Sequence, residues 1–341
     1  QLEHSPATGP LHAFLICVHL SDPFSCGAEY SQPGARGIMS FLSLPAKPSR
    51  RRRPCLNANA CFLDSEALIH LHGANATEFL QGQLTCDLRR LTPTHSLPGA
   101  LCNPQGRVIS DLRIIALDPA HLVLRLRASL CQPCVETLQR YAQFSRVEVS
   151  PDSREGAILG IYGDAPIAEL PAEPNAIDRR DDLLVLGRDG GIGEVIALSG
   201  AEESLRAFAE TLPAGEENQW QARVLAGGHY PLDAEDSGQF TPQTLNFDER
   251  DLVAFDKGCY TGQEVVARLH YKGRAKRRLR IYRAPEVVEA KERLSDAGGS
   301  AVGKVLRCVP GGDGYIVAAE VSADSPAGPL LSPDGVQLTP V

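Results

Sequence analysis

The sequence predicts an α+β chain of small sheet-and-helix units that ends in an all-β portion. Two observations carry this. Runs with period-two apolar alternation are mixed with runs of helical period, and they join as hairpins instead of regular strand–helix–strand repeats. After about Arg274 the helical runs stop, and strand-like runs separated by glycines remain, as in a small β-barrel or sandwich.

The elements follow in order. "ALIHLHG", residues 67–73, alternates as a strand does. Asn75 with Glu78 has the spacing of a capping box. Phe79, Leu80, Leu84, Leu88 and Leu91 then give an apolar face near helical period, with Gly82 ending its first part. "LPGALCNPQGRVISDLRIIAL", residues 97–117, reads as strand, turn at Asn103–Gly106, strand. "HLVLRLR" at 121–127 is a strand and "CVETLQRYAQF" at 134–144 a short amphipathic helix. "AILGIYG" at 157–163 is a buried-type strand, and "LLVLGRDGGIGEVIAL" at 183–198 a hairpin around its glycines. "EESLRAFAETL" at 202–212 is a helix. "RRLRIYRA", "GKVLRCV" and "GYIVAAEV" are the closing strands.

The chain has 341 residues, enough for two or three domains. Its 43% hydrophobic and 22% charged content suits a soluble globule, and a net charge of -8 argues against a general nucleic-acid coat. No apolar run is long enough to span a membrane; "AFLICVHL" at 13–20 is too short and lacks the flanks of a signal peptide. Ten scattered cysteines, with nothing else that suggests secretion, point to reduced thiols and a cytoplasmic location. Residues 1–55 read as a flexible N-terminal extension, with "RRRR" at 50–53 as a solvated tail. Met39, the only methionine, is the expected natural start.

Several motifs are decoys. Gly298 followed by Gly303-Lys304 resembles a P-loop, but Val305 offers no hydroxyl for magnesium and no helix follows. Cys131 and Cys134 in "LCQPCV" lack the second pair of a zinc site, and are expected to be structural. The nine histidines show no metal-ligand spacing.

"KGCYTGQE", residues 257–264, is the informative stretch. Thr261 and Glu264 again have capping-box spacing, so a helix is expected to begin near Gly262, with Cys259 just before it. A helix N-terminus and the Lys257 ammonium both favour thiolate over thiol, and Gly258 and Gly262 let backbone approach a ligand. The structural alternative is a loop in which Thr261 and Glu264 only cap and Cys259 only packs. From Arg268 to Arg283 there are eight Lys or Arg and no acid. Arg268, Lys272, Arg274, Lys276, Arg277 and Arg278 form either a polyanion patch or the solvent face of a strand.

"KGCYTGQEVVARLHYKGRAKRRL" resembles the signature of the YgfZ family, folate-binding relatives of the glycine-cleavage T-protein associated with tRNA modification. "RVLAGGHYPLDAEDSGQFTPQTLNFDERDLVAF", "LHGANATEFLQGQLTCDLRRL", "GALCNPQGRVISDLRI" and "AVGKVLRCV" with "YIVAAEV" are similar to the rest of it, so the resemblance runs from about 67 to 325. It implies two intertwined α+β modules around a central folate-binding hole, here residues 56–273, and a C-terminal β-barrel over 274–341. It implies tetrahydrofolate or a derivative as cofactor, with iron–sulfur enzymes or assembly factors as partners and tRNA only an indirect or weak one. By motif it carries over Lys257, Gly258, Cys259, Tyr260, Thr261, Gly262, Gln263 and Glu264, with Cys259 as the functional thiol and Lys257 lowering its pKa. In "GRVISDL", Ser110 stands where the T-protein has the first of two aspartates, followed by Asp111, which the resemblance makes a candidate folate or loop-motif residue. "RVLAG" at 223–227 has no carboxylate where that enzyme's "RLEAG" has one. Serine is a poor general base without a partner, so glycine-cleavage aminomethyl transfer is not expected. What the resemblance implies is a folate-binding protein that supports iron–sulfur cluster assembly or repair and thereby tRNA thiomodification; folate-dependent aminomethyl transfer and direct tRNA binding are the rival readings. No stable metal centre is expected: a cluster takes four ligands, so Cys259 alone gives a transient or shared contact.

Overall fold

The computed structural model describes residues 58–152, 154, 156–164 and 167–341. The expectations for the N-terminal extension, the start at Met39 and the arginine run at 50–53 lie outside the described residues.

The chain lays down β1 (Ala58–Phe62) and then leaves that sheet. It continues through β2 (Glu66–His72), α1 (Ala76–Gln81), a 3₁₀ turn at Leu88–Arg90, β3 (Leu97–Cys102), β4 (Val108–Asp118), β5 (His121–Arg127), α2 (Ala128–Ser145) and β6 (Glu148–Pro151). These strands form an antiparallel sheet in the order β3-β4-β5-β2-β6. The chain then returns to pair β7 (Ile158–Gly163) with β1. With β8 (Ile177–Arg180), β9 (Leu183–Arg188) and β10 (Ile192–Ala197) it builds a second sheet, β1-β7-β10-β9-β8. One module is thus inserted between the first and second strands of the other, which makes the two intertwined.

α3 (Glu202–Ala209) packs on β10, and α4 (Glu217–Ala226) carries Trp220 into the core. After α5 (Gln263–Lys272) come β11 (Arg277–Ala284), β12 (Arg293–Ser295), β13 (Ala301–Gly311), β14 (Gly314–Ser322), β15 (Leu330–Leu331) and β16 (Gln337–Pro340). They close as a barrel, β11-β14-β13-β12-β15-β16, sealed by Tyr282 opposite Pro340. The open choice between sandwich and barrel is therefore decided for the barrel. Tyr282, Leu294, Val305, Val317, Val321 and Leu338 fill it. Leu279, Val309, Ile316 and Ala318 point outward into the core of the first module and tie the barrel to it.

Two local readings differ. α2 starts at Ala128, six residues before the predicted Cys134, and runs through Pro133. The proline forfeits one helical hydrogen bond. Burial of Leu130, Cys134, Val135, Leu138 and Ala142 outweighs that cost. The Asn75–Glu78 capping box does not form: the Asn75 side chain instead donates to the Ser145 carbonyl at 3.1 Å, fastening α1 to the end of α2. Cys134 lies in the core, where burial pushes its thiol up to about 12, in line with a structural cysteine.

Candidate functional site

The loop from Lys257 to Gly262 is anchored from within. Lys257 and Tyr260 are buried, while Gly258 and Cys259 stand exposed between them. The Lys257 ammonium donates to the backbone carbonyls of Gln81, Leu84 and Cys86, each at 2.7 Å, so all three of its protons are engaged. Burial pushes its pKa down to about 8, with Cys86 and Asp87 acting the other way. The ammonium also lies 5.1 Å from the centre of the Tyr260 ring. Lys257 therefore closes the corner after α1.

Gly262 caps α5 with φ 84°, a left-handed conformation. A Cβ there would lie 2.4 Å from the Asn103 carbonyl oxygen. The turn at Asn103–Gly106, where Asn103 Oδ1 accepts from the Gln105 and Arg107 amides, therefore packs directly against the start of α5. The Thr261–Glu264 capping box is absent: the cap position falls on Gly262, and no side chain caps the helix. Thr261 instead receives its partners from the first module: its amide donates to the Gly82 carbonyl at 3.3 Å and its hydroxyl to Gln83 Oε1 at 3.4 Å. Gln263 is half-buried and Glu264 exposed on the first turn. Of the cysteines among the described residues, Cys259 alone is exposed.

The basic stretch separates into two sets. Arg278 is paired with Asp248 at 2.7 Å and Glu249 at 3.2 Å, and Arg274 with Asp324 at 2.9 Å. Arg268, Lys272, Lys276 and Arg277 are exposed and have no ion pair among the described residues. Beside them His270 stacks on Phe255 at 3.7 Å, and Tyr271 is 67% exposed.

Asp111 belongs elsewhere. It lines a cavity of about 390 Å³ whose wall includes β4, β5 and β9 residues and the segment 249–252. None of residues 257–264 lines it. Asp111 Oδ1 accepts the Leu232 amide at 2.9 Å, and its Oδ2 lies 2.9 Å from His229 Nε2. Burial would raise the Asp111 pKa, but His229, the Leu232 amide and Arg125 outweigh it and hold the carboxylate below its usual range. For His229 burial wins over Asp111 and keeps the imidazole below its ordinary value, hence neutral. The neutral ring donates Nε2–H to Asp111.

The cavity is rich in arginine. Arg125 pairs with Glu66 at 3.2 Å and with Glu194 at 2.8 Å, Arg188 shares Glu194 at 2.6 Å, and both guanidinium groups lie 5.5 Å from the Trp220 ring. Arg113 differs: buried, it donates to Ser96 Oγ at 2.9 Å and Asn175 Oδ1 at 2.6 Å and has no carboxylate within ion-pair distance among the described residues. Burial, then the charge of Arg188, pushes its pKa down to about 9. Arg250, half-buried in the wall, is likewise without an ion pair among the described residues.

Of the residues expected from sequence, the fold brings Asp111 to the cavity and presents Cys259 on a separate surface loop. His229, Arg113, Arg188 and Arg250 were missed. A signal was present for Arg113, a cation within the largely apolar run "DLRIIAL", and a weaker one for Arg188, which ends the apolar run "LLVLGR". Ser110, fully buried, donates to the Asp111 carbonyl at 2.7 Å.

No protein-family model matches the chain. Among solved structures, the glycine cleavage system aminomethyltransferase T from Bartonella henselae superposes with a TM-score of 0.65 at 20% identity, over 83% of this chain and 85% of that one, which establishes a shared fold. Among curated proteins, the tRNA-modifying protein YgfZ of Shigella dysenteriae serotype 1 is 31% identical over 302 residues, covering 83% of this chain and 90% of that protein. The protein of the same name from Escherichia coli O157:H7 matches to the same extent. Similarity at that level across nearly the whole of those proteins, on a T-protein-like fold with its closing barrel, places the chain in the family of the tRNA-modifying protein YgfZ.

Proposed function

We propose that this chain binds a reduced folate in the cavity between its sheets. With Cys259 as functional thiol, it supports the assembly or repair of iron–sulfur clusters on which tRNA thiomodification depends. The tRNA setting rests on the names of its relatives. The observation that carries the folate reading is Arg113, a buried guanidinium on the cavity wall whose hydrogen bonds, among the described residues, go to neutral partners. Such a group favours an anion. A folate offers carboxylates at its glutamate end and a flat, hydrogen-bonding pterin at the other. Arg113 and Arg250 would hold the carboxylates, and the Asp111–His229 pair would face the pterin edge. Bound there, a reduced folate supplies one-carbon or electron chemistry.

Cys259 acts from the surface. Its loop is held by Lys257, Tyr260 and Gly262, so the thiol is displayed on a fixed frame, a geometry suited to handing a ligand to a partner protein. One thiolate supplies one of the four ligands a stable cluster takes, so the contact is transient or shared, and the cluster is cargo. The compartment proposed is the cytoplasm; no helix among the described residues is long and apolar enough to cross a membrane.

The test is Cys259→Ser in cells, scored for iron–sulfur enzyme activity at equal protein abundance, beside calorimetric titration of the purified chain with tetrahydrofolate. Loss of activity with folate affinity intact is expected. Full activity in the variant removes the thiol role, and absence of folate binding in the wild type removes the cavity assignment.

A glycine-cleavage aminomethyltransferase is disfavoured by Ser110, whose hydroxyl is buried against a carbonyl. Robust turnover with lipoylated carrier protein would reverse that judgement. A second reading, direct tRNA contact, draws on the four unpaired cations Arg268, Lys272, Lys276 and Arg277 beside exposed Tyr271.

A further inference from the structure

We propose that His70, His72 and His121 form a binding site for one divalent transition-metal ion of the zinc type. Read along the chain, these histidines show no ligand spacing. The strand pairing creates it. Alternation along β2 sends Ile69 and Leu71 into the core and puts His70 and His72 on the opposite face. The β2–β5 register sets His72 directly opposite His121 and His70 opposite Val123, so His121 is the diagonal neighbour of His70 on that same face. One ring nitrogen from each residue lies within 4.8 Å of the other two. None of the three lines the central cavity or belongs to the Cys259 loop.

The hydrogen bonds pre-orient the set. His70 Nε2 lies 3.2 Å from Asp152 Oδ2, and Arg154 fixes that carboxylate with contacts at 2.6 and 3.0 Å. His70 therefore donates Nε2–H to Asp152 and turns the Nδ1 lone pair toward His121 Nε2, 2.7 Å away. A carboxylate behind a ligating histidine is the usual outer support of an imidazole–metal bond. His72, exposed and without a hydrogen bond among the described residues, has its ring centre 3.9 Å from that of His121, the two rings tilted by 32°, and completes the trio. In the metal-free state one proton bridges His121 Nε2 and His70 Nδ1. For metal entry this proton moves to His121 Nδ1, leaving three neutral imidazole lone pairs. Nitrogens bound to one tetrahedral ion stand about 3.3 Å apart, so the His70–His121 pair opens by roughly 0.6 Å. His72 is exposed and the other two half-exposed, which leaves a coordination position for water. Imidazole-only ligation of this kind favours zinc, copper or nickel over calcium or magnesium.

The test uses the untagged full chain, stripped with chelator, titrated with Zn²⁺ by calorimetry and with Co²⁺ as a spectroscopic probe. The expected result is one Zn²⁺ bound per chain, with ligand-field bands of four-coordinate Co²⁺ free of thiolate charge transfer. His72→Ala and His121→Ala should each weaken binding at least about tenfold, and Asp152→Asn about tenfold. Because His72 is exposed, H72A should melt like the metal-free wild type and lose only the rise in Tm that Zn²⁺ produces. No Zn²⁺ binding, thiolate bands with Co²⁺, or equal affinity in wild type and H72A overturns the assignment.

Discussion

Asp111 and His229, 118 residues apart in the chain, meet at 2.9 Å in the wall of the cavity between the two sheets. The folded protein keeps that imidazole neutral and that carboxylate ionised, so each resists a proton that the unfolded chain accepts. Stability therefore rises with pH wherever the unfolded chain carries the extra proton. It is full above the ordinary histidine value of 6.5 and falls as pH drops below it, and falls again below the ordinary aspartate value of 3.8. Melting temperatures across pH 7 to 5 measure the first step, and His229→Gln should flatten it. An unchanged slope in that variant would count against the pair as its source.

Arg113 should govern anion recognition in the cavity. Arg113→Met removes the guanidinium but keeps an apolar stem, and should weaken tetrahydrofolate binding by about 2–3 kcal/mol, roughly 30- to 150-fold. Arg250→Met should weaken it less, because that side chain is only half-buried. Calorimetry on both variants checks the order; equal affinity in Arg113→Met and wild type contradicts the assignment.

Lys257 should matter for stability more than for chemistry. Lys257→Met leaves the carbonyls of Gln81, Leu84 and Cys86 without their donor, at a cost of about 2–4 kcal/mol. The urea midpoint should fall accordingly. Cys259→Ser, at an exposed position, should move it by less than about 0.5 kcal/mol. Comparable destabilisation by the two would mean that Cys259 packs where the geometry says it does not.

Gly262→Ala meets both a left-handed backbone and the Asn103 carbonyl, with the new Cβ 2.4 Å from that oxygen. A loss of about 2 kcal/mol or more is expected, with Asn103–Gly106 amides exchanging faster because the turn must shift. Hydrogen exchange reads the location as well as the size.

The unpaired cations give a salt test. Replacing Lys276 and Arg277 by glutamine should lower any affinity for tRNA and reduce the slope of log affinity against log salt by about two, if each contacts a phosphate. Replacing Arg278 should instead cost stability through Asp248. An unaltered slope assigns these cations to solvent.

The sequence by itself determined the local elements, because alternation and helical period are written in neighbouring residues. "ALIHLHG", the Asn103–Gly106 turn, the 183–198 hairpin and the closing strands all stand where the pattern puts them. It also marked Cys259, whose motif is contiguous. The two capping boxes misled because Ser/Thr/Asn-x-x-Glu spacing says nothing of competing partners: Ser145 takes the Asn75 side chain, and Gly82 and Gln83 engage Thr261. Only the tertiary structure decided that Asp111 meets His229, that Lys257 points into a ring of carbonyls, and that Arg113 is buried beside neutral groups. It also joined His70 and His72 to His121 through strand register. Each of these depends on segments far apart in the chain, whose mutual approach is fixed by the burial of whole sheet faces and not by any local pattern.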